Sequence, residues 1–409
     1  MQLAGRLWIG LGLAAACCLP LAPAVAEDWY RFRGPRLNGI SQETDWSAAW
    51  DQNPPQLQWQ ATVGTGLSGV VLSQGRLFTL GNTLDQDHIV CLDAVSGQPQ
   101  WQHSYAAAVD ANEFEGGPTA TPTVDGGRLY SLSRAGDLFC LDAATGQQQW
   151  QIQVAEVADV RVPTWGFAGS PLVYDHLLLL NVGDAGVAVD KLSGQLVWKS
   201  ADRDSGYSSL VPLEYAGQPA VAFGSARSYV CVHPLTGQEL WRHRWLTTFG
   251  CNAADPVVSG QQVFISSGYN RGSALLQQQL DGVEELWKNK DMQTQISSCV
   301  LIDGYLYGIH GDVGSGTQLR CMQWSTGQLM WSLDSISPGG LMAAGERLIV
   351  LTDSGELVVV AADPQAARIL ARQTAVDGKC WTAPTLSNGH IYCRTALGSL
   401  ACWQLPADQ

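Results

Sequence analysis

Positive charge is scarce in this chain. Among 409 residues, 23 Lys and Arg stand against 37 Asp and Glu, a formal net charge of −14. Nucleic acids and anionic membrane surfaces attract basic patches, so neither is an expected partner, and the acidity serves solubility. Charge of both signs is low, 15% against 46% hydrophobic residues, which describes a core-rich globular protein and not a disordered one. Catalytic signatures are lacking too. The seven histidines (His88, His103, His176, His233, His243, His310 and His390) form no H-E-x-x-H or other zinc spacing. There is no G-x-S-x-G elbow and no G-x-x-x-x-G-K-S/T loop, so hydrolase and nucleotidase chemistry have no support. No C-x-x-C-H haem-attachment motif is present.

Long apolar runs are confined to the start. Arg6 precedes an apolar stretch, Leu7 to Leu21, too short for a membrane span, and Ala24-Val-Ala26 is a small-residue cleavage site. Residues 1–26 therefore read as a signal peptide, and the mature chain as exported, periplasmic or secreted, with no transmembrane segment. Cys17 offers the less favoured alternative of an outer-membrane lipoprotein. Removing Cys17 and Cys18 from 11 cysteines leaves an odd number, which cannot all pair within one chain. Cys91, Cys140, Cys231 and Cys321 share one position of a repeat and read as small buried hydrophobes. Cys380, Cys393 and Cys402 lie close enough in sequence for one bridge.

The repeat is the strongest signal present. Cys91-Leu-Asp-Ala-Val-Ser-Gly-Gln-Pro-Gln-Trp101 returns as Cys140-Leu-Asp-Ala-Ala-Thr-Gly-Gln-Gln-Gln-Trp150 and as Ala188-Val-Asp-Lys-Leu-Ser-Gly-Gln-Leu-Val-Trp198. Further copies end at Trp241 and Trp331. A period in the forties marks a repeat architecture, which lets one domain use the whole length. Within each period four short strand patterns alternate with Gly-rich turns; in the second copy they are Thr119 to Val124, Arg128 to Leu132, Asp137 to Asp142 and Gln148 to Ile152.

Each conserved type in the phrase has a mechanical role. Asp93, Asp142 and Asp190 accept from turn amides. Gly97, Gly146, Gly194, Gly237 and Gly327 supply the positive φ of a tight turn. Trp101, Trp150, Trp198, Trp241 and Trp331 bring large apolar faces to wedge between sheets. Counting Trp59, Trp287 and a degenerate copy at Ile369 gives eight blades. The last has three strand patterns, and Leu57 to Val63 supplies its fourth, closing the ring and hiding its edges. The expected fold is all-β, a single eight-bladed β-propeller over 57–409 with a leader, 27–56, packed on the ring.

The phrase resembles the tryptophan-docking signature of the PQQ-like β-propeller repeat family. The leader's Trp29-Tyr-Arg-Phe-Arg-Gly-Pro-Arg-Leu-Asn-Gly-Ile-Ser41 is similar to the F-R-G-P opening of exported bacterial members. Trp165-Gly-Phe-Ala-Gly-Ser-Pro171, Gly206-Tyr-Ser-Ser209 and Ser266-Ser-Gly-Tyr269 extend the likeness along the mature chain. That resemblance implies either a quinoprotein dehydrogenase, with PQQ stacked on an aromatic ring and Ca2+ held by carboxylate and amide oxygens, or a scaffold such as the outer-membrane assembly lipoprotein of the same repeat. The related dehydrogenases carry a disulfide between adjacent cysteines; the only adjacent pair here is Cys17-Cys18.

If anything binds in the ring, the loops leading into the innermost strands should carry it, because there the repeats differ. Candidates are Trp165, Tyr207, Asn252, Gln295, Lys379 and Trp381, with Arg161, Glu113, Glu115, Tyr269 and His310 nearby. Either they face a ligand, or they plug the channel and bond one another or water. Asp202-Arg-Asp204-Ser-Gly206 reads as an Asp/Gly turn, with Ca2+ the weaker alternative. Arg31, Arg33 and Arg36 are expected to fix the leader on the acidic surface. The favoured reading is an exported, non-enzymatic scaffold or ligand-binding module with no cofactor, no metal and no catalytic residue. Its partner is an unidentified envelope protein or small ligand. PQQ with Ca2+ and alcohol or sugar oxidation is the alternative.

Overall fold

A computed structural model describes residues 27–112, 114–201 and 204–408; the proposed signal peptide lies outside the described residues. Eight antiparallel sheets surround a central axis. In chain order the blades occupy 71–106, 123–153, 172–199, 211–244, 257–289, 300–333, 338–374 and 385–404. The last is completed by Gln56–Thr62, which runs antiparallel to Ser399–Gln404 with Trp59 opposite Cys402. The ring is thus closed by a strand from the N-terminal part of the chain pairing with the last strand. The sequence parse missed one short helix, Val154–Ala158, between blades two and three.

The repeated phrase builds the outer seam. Asp93 Oδ1 accepts from the amides of Val95 and Ser96 and from the Ser96 hydroxyl; Asp142 and Asp190 do the same in their turns. Those hydrogen bonds hold all three carboxyls below the usual carboxylate range. A one-residue bulge before each docking tryptophan, such as that between Gln148 and Trp150, twists the outer strand toward the next blade. The ring then lies flat on the glycine of the neighbour's turn. A Cβ on Gly97 would sit 2.5 Å from Trp59, and one on Gly146 would sit 2.6 Å from Trp101. Both glycines also hold φ near +70°. The indole N–H donates to a carbonyl in the same turn, Trp59 to Ala94, Trp101 to Ala143, Trp150 to Lys191 and Trp198 to Pro234. Trp331 reaches Asp363. Where the repeat carries a cysteine it sits directly opposite the tryptophan, as Cys91, Cys140, Cys231 and Cys321 do opposite Trp101, Trp150, Trp241 and Trp331.

Two positions depart from the pattern. Blade five turns between its last two strands through a tight hairpin, Gln279 to Gly282, without the phrase, and the buried Trp241 Nε1 has no acceptor. In blade seven the bulge falls at Leu370, so Ala371, not Ile369, occupies the tryptophan position, paired with Val359. There the seam runs in reverse, with Trp403 of blade eight donating to the Ala375 carbonyl.

The innermost strands are shorter than the sequence suggests; in blade two the ladder covers only Thr123–Asp125. The residues before them turn their backbone groups to adjacent blades, as Leu67 and Ser68 do in donating to the Pro118 carbonyl. At the closure, Arg394 is 2% exposed. It donates to the carbonyls of Ser68, Leu80, Gly64 and Gly66 and to the Thr79 hydroxyl. Burial lowers its pKa to about 10, which still leaves a cation at neutral pH.

All nine cysteines of the described residues are buried free thiols, so the bridge considered among Cys380, Cys393 and Cys402 is not formed. Burial raises the Cys380 and Cys402 thiols to about 12, and Cys393 rises as well. Among the described residues no helix is long and apolar enough to cross a membrane.

Trp101→Phe and Trp241→Phe remove comparable ring area, but the first loses a satisfied hydrogen bond and the second an orphaned donor. Trp241→Phe should be the milder by about 1–3 kcal/mol in urea unfolding; equal costs would refute this account of the seam.

Candidate ligand-binding channel

The leader forms the floor of the central channel and touches every blade in turn. The Trp29 and Tyr30 carbonyls accept from Leu72 and Val124 in blades one and two. Leu37 packs against the apolar cluster shared by blades three and four, which includes Leu172 and Val221. Ile40–Ser41 adds a parallel inner strand to blade seven, and the Glu43 carboxylate accepts from the Asn388 and Gly389 amides of blade eight. Gly34 permits the sharp bend, since a Cβ there would strike the Trp29 ring at 2.6 Å.

Blades five and six are met by Arg33, and here the expectation of a surface contact fails. Its guanidinium is buried, donating to the carbonyls of Cys299 at 2.7 Å and Asn38 at 3.0 Å, and it lies 3.8 Å from Asp255. Burial pushes the Asp255 carboxyl up to about 6, with Arg33 and the Ser209 amide opposing the rise. Arg36 does stay at the surface, bound to Glu27 at 2.6 Å, while Arg31 bonds Tyr30 and Pro35 within the leader.

Asp255 belongs to a circumferential chain of hydrogen bonds. The Gly69 amide donates to Thr121 Oγ1, Thr121 to Ser170 Oγ, Ser170 to Ser209 Oγ, Ser209 to Asp255 Oδ1 and Asp255 to Ser298 Oγ. From blade two to blade six, one side chain per blade thus satisfies the inner-strand amide of the preceding neighbour. The series reads Thr, Ser, Ser, Asp, Ser; the single carboxylate stands where Arg33 enters.

Above this girdle lies a cavity of about 310 Å3. Its mouth carries an aromatic collar. Trp165 lies 5.7 Å from Tyr207 and 6.0 Å from Phe249, and Phe249 meets Tyr269 edge-on at 5.3 Å. Tyr269 holds φ +56°, unusual for a bulky residue. Its amide donates to Asp312, and its hydroxyl accepts from Gln295 Nε2, whose Oε1 takes the Val313 amide. Burial raises the Tyr207 hydroxyl to about 12 and Tyr269 further. Both phenols remain neutral donors. Across the mouth, Lys379 lies 3.8 Å from the Trp381 ring centre and bonds Glu115 at 3.0 and 3.2 Å.

Of the sequence candidates, Trp165, Tyr207, Tyr269, Gln295 and Trp381 line the cavity together. Lys379 and Glu115 stand at its rim. Asn252 does not face it. Fully buried in the wall, its amide donates to the Ser225 and Trp245 carbonyls and its oxygen accepts from Ser267. Its neighbours Cys251 and Ala253 line the space instead, because alternate residues of an extended segment point opposite ways. His310 also turns away, receiving the Arg320 guanidinium at 3.1 Å; burial and Arg320 lower it to about 4. Arg161 lies in an adjoining surface groove and pairs with Asp204 at 2.8 Å, which Arg227 also approaches at 3.8 Å. Glu113, Asp202 and Arg203 lie outside the described residues. Sequence reasoning missed the leader's Trp29, Phe32 and Arg33 as lining residues, and the Thr121–Ser170–Ser209 arc. The arc was signalled by hydroxyl residues recurring at one repeat position.

The residues present do not fit PQQ and Ca2+. Calcium takes six to eight oxygens, carboxylates prominent among them. Asp255 is the one carboxylate lining the cavity among the described residues, and its two oxygens face the Ser209 amide and Arg33. No group of three His, Cys, Asp or Glu residues converges among the described residues. PQQ is itself a polycarboxylate, and the nearby cations Arg33 and Lys379 already face carboxylates.

Fold and channel together define an eight-bladed propeller whose inner space is floored by its own leader. The sequence profile of the family described as outer membrane protein assembly factor BamB matches residues 85–332 and 315–405, and the chain belongs to that PQQ-like repeat family. BamB from Moraxella catarrhalis superposes with TM-score 0.64 at 15% identity, covering 86% of this chain and 100% of that one. A quinohemoprotein alcohol dehydrogenase from Comamonas testosteroni gives 0.65 at 14%, covering 95% and 82%. The computationally designed Ika8 protein gives 0.60 at 15%, covering 86% and 100%. At such identities the likeness is one of fold. No curated protein matches the sequence.

Asp255→Asn leaves Arg33 buried without its counter-charge and should cost about 3–5 kcal/mol. Proteolysis within residues 27–46 should quicken, and Arg33→Met added to Asp255→Asn should recover much of the loss. An unchanged denaturation midpoint in the single variant would rule out the pair as the leader's anchor. For His310, the folded form resists protonation until about pH 4, whereas an unfolded histidine titrates near 6.5. Between those values the unfolded chain binds more protons, so stability falls as pH drops from 6.5 to 4. His310→Gln should flatten that part of the stability–pH curve; an identical slope would contradict it.

Proposed function

We propose that this chain is an exported, non-enzymatic binding module of the bacterial cell envelope that engages a protein partner at the collared mouth of its channel. One observation carries the reading. The depth of the channel is taken by the protein's own leader, locked by Arg33 against Asp255. What remains accessible is the aromatic collar, from which Phe249, 56% exposed, faces the adjoining surface groove beside the exposed Leu246 and Val162. Solvent-exposed aromatic and aliphatic side chains at a pocket rim are typical partner anchors. Membership of the BamB-described family is in keeping with a protein partner.

Quinoprotein chemistry is the competing reading, favoured by the shared fold and the aromatic walls, and opposed by the oxygen and charge inventory above.

Two measurements separate them. Incubation with PQQ and Ca2+ should give no saturable quinone absorbance and no dye-linked alcohol or sugar oxidation; turnover would sink the non-enzymatic reading. A photo-crosslinking residue at Phe249 should yield a discrete envelope-protein adduct in cells, and the same probe at Val95, exposed on an outer turn, should not. Equal labelling at both positions, or none at Phe249, would remove the docking site.

A further inference from the structure

The cavity behind the collar has a chemical bias of its own. Thr121, Ser170 and Ser209 project into it from three successive blades, and each is at least nine-tenths buried. Each hydroxyl oxygen is already engaged as acceptor by the preceding blade's amide. Among the described residues none of the three hydroxyl protons has an acceptor. A hydroxyl carries one proton and rotates to use it, so the arc offers three directed donors to whatever fills the space. Buried donors left unmade are costly, and they are positioned by the inter-blade bonds rather than by flexible loops.

Charge in and around the cavity is compensated. Arg33 faces Asp255 and Lys379 faces Glu115. An ionic ligand would therefore lose its hydration without finding a free counter-charge. Flat apolar faces are abundant, with Trp165 before blade three and Trp381 before blade eight both lining the space. A volume of about 310 Å3 lies at the small end of ligand sites.

From these features we infer that the channel binds a small, neutral, polyhydroxylated ring compound, a mono- or disaccharide. Its C–H faces stack on Trp165 and Trp381, and its ring and hydroxyl oxygens accept from Thr121, Ser170 and Ser209. No covalent step is involved. The sugar sits above the leader, and Arg33 and Asp255 stay paired beneath it. This inference rests on the reading of the channel as a binding and not a catalytic site, but the two fail separately. Loss of the Phe249 adduct with sugar binding intact removes the protein partner alone. A normal adduct without sugar binding removes the ligand alone.

Isothermal titration of the mature chain with glucose, N-acetylglucosamine, maltose and cellobiose tests it, with glucuronate as the charged counterpart. At least one neutral sugar should bind saturably with one-to-one stoichiometry, and glucuronate about tenfold more weakly than glucose. Ser170→Ala should weaken binding by about tenfold, as expected for one lost buried donor. Because Ser170→Ala also loosens an inter-blade bond, Trp381→Ala is the second variant. It sits at the half-open mouth, should melt as the parent does, and should lose about tenfold or more. Absence of saturable binding by all four neutral sugars at tens of millimolar overturns the inference. So does glucuronate binding as tightly as glucose, or affinity unchanged in both variants.

Discussion

A four-stranded sheet with two apolar faces cannot stand alone, and everything in this protein follows from how each face is covered by the next blade. The contact that achieves this is an indole laid on a glycine. The glycine must lack a Cβ for the ring to approach and must hold positive φ for the turn to form, so two independent constraints converge on one atom's absence. The hydrogen bond from the indole nitrogen contributes about 0.5–1.5 kcal/mol. The buried ring area, on the order of 150–250 Å2 per tryptophan, outweighs it at about 25 cal/mol per Å2. That ordering explains why blade four's Trp241 persists with its nitrogen unpaired: area is retained even where the neighbour's turn offers no carbonyl.

The inner seam obeys a different rule. Near the axis the strands crowd, large rings do not fit, and small hydroxyl side chains take the neighbour's amides instead. Polar groups there are obligatory, because an inner-strand amide turned from its own ladder has no water to bond. The result is a hydroxylated girdle around the axis beneath a mostly aromatic mouth. A cavity with that lining arises from the assembly of the ring, and its character as a neutral, donor-bearing space was set by the seam before any ligand is considered.

How much of this could be read from the chain depends on which seam is asked about. The outer seam repeats one phrase, so blade number, strand order and the closing strand Gln56–Thr62 were all legible. Trp165, Tyr207 and Trp381 were found by position within the repeat. Asn252 was misjudged by one residue, since neighbours in an extended segment face opposite ways and the loop's register is not written in its spacing. Ile369 was misjudged by two, because a bulge shifts register without a sequence mark. Arg33 was assigned to the surface because most arginines are there; the Cys299 carbonyl and Asp255 that bury it lie more than 200 residues away.

Arg33 and Arg394 share a logic. The repeat supplies its own joints wherever one blade follows another, but two places have no repeat to draw on: the seam where the ends of the chain meet, and the axis, where the leader crosses. Each is filled by a buried arginine spending its fan of donors on backbone carbonyls. Arginine suits this because its guanidinium keeps its charge when desolvated and presents five N–H groups in one plane. The two sites differ in how that charge is met. Arg394 relies on four carbonyl oxygens and the Thr79 hydroxyl alone, whereas Arg33 also faces a carboxylate. Arg394 therefore joins segments that fold as one closed ring. Arg33 joins a separate leader to that ring, and its counter-charge sits in a girdle position where a hydroxyl would already have satisfied the amide. Asp255 in place of serine is thus required by the leader and not by the propeller, which makes that one substitution in the girdle the residue coupling the two parts of the molecule.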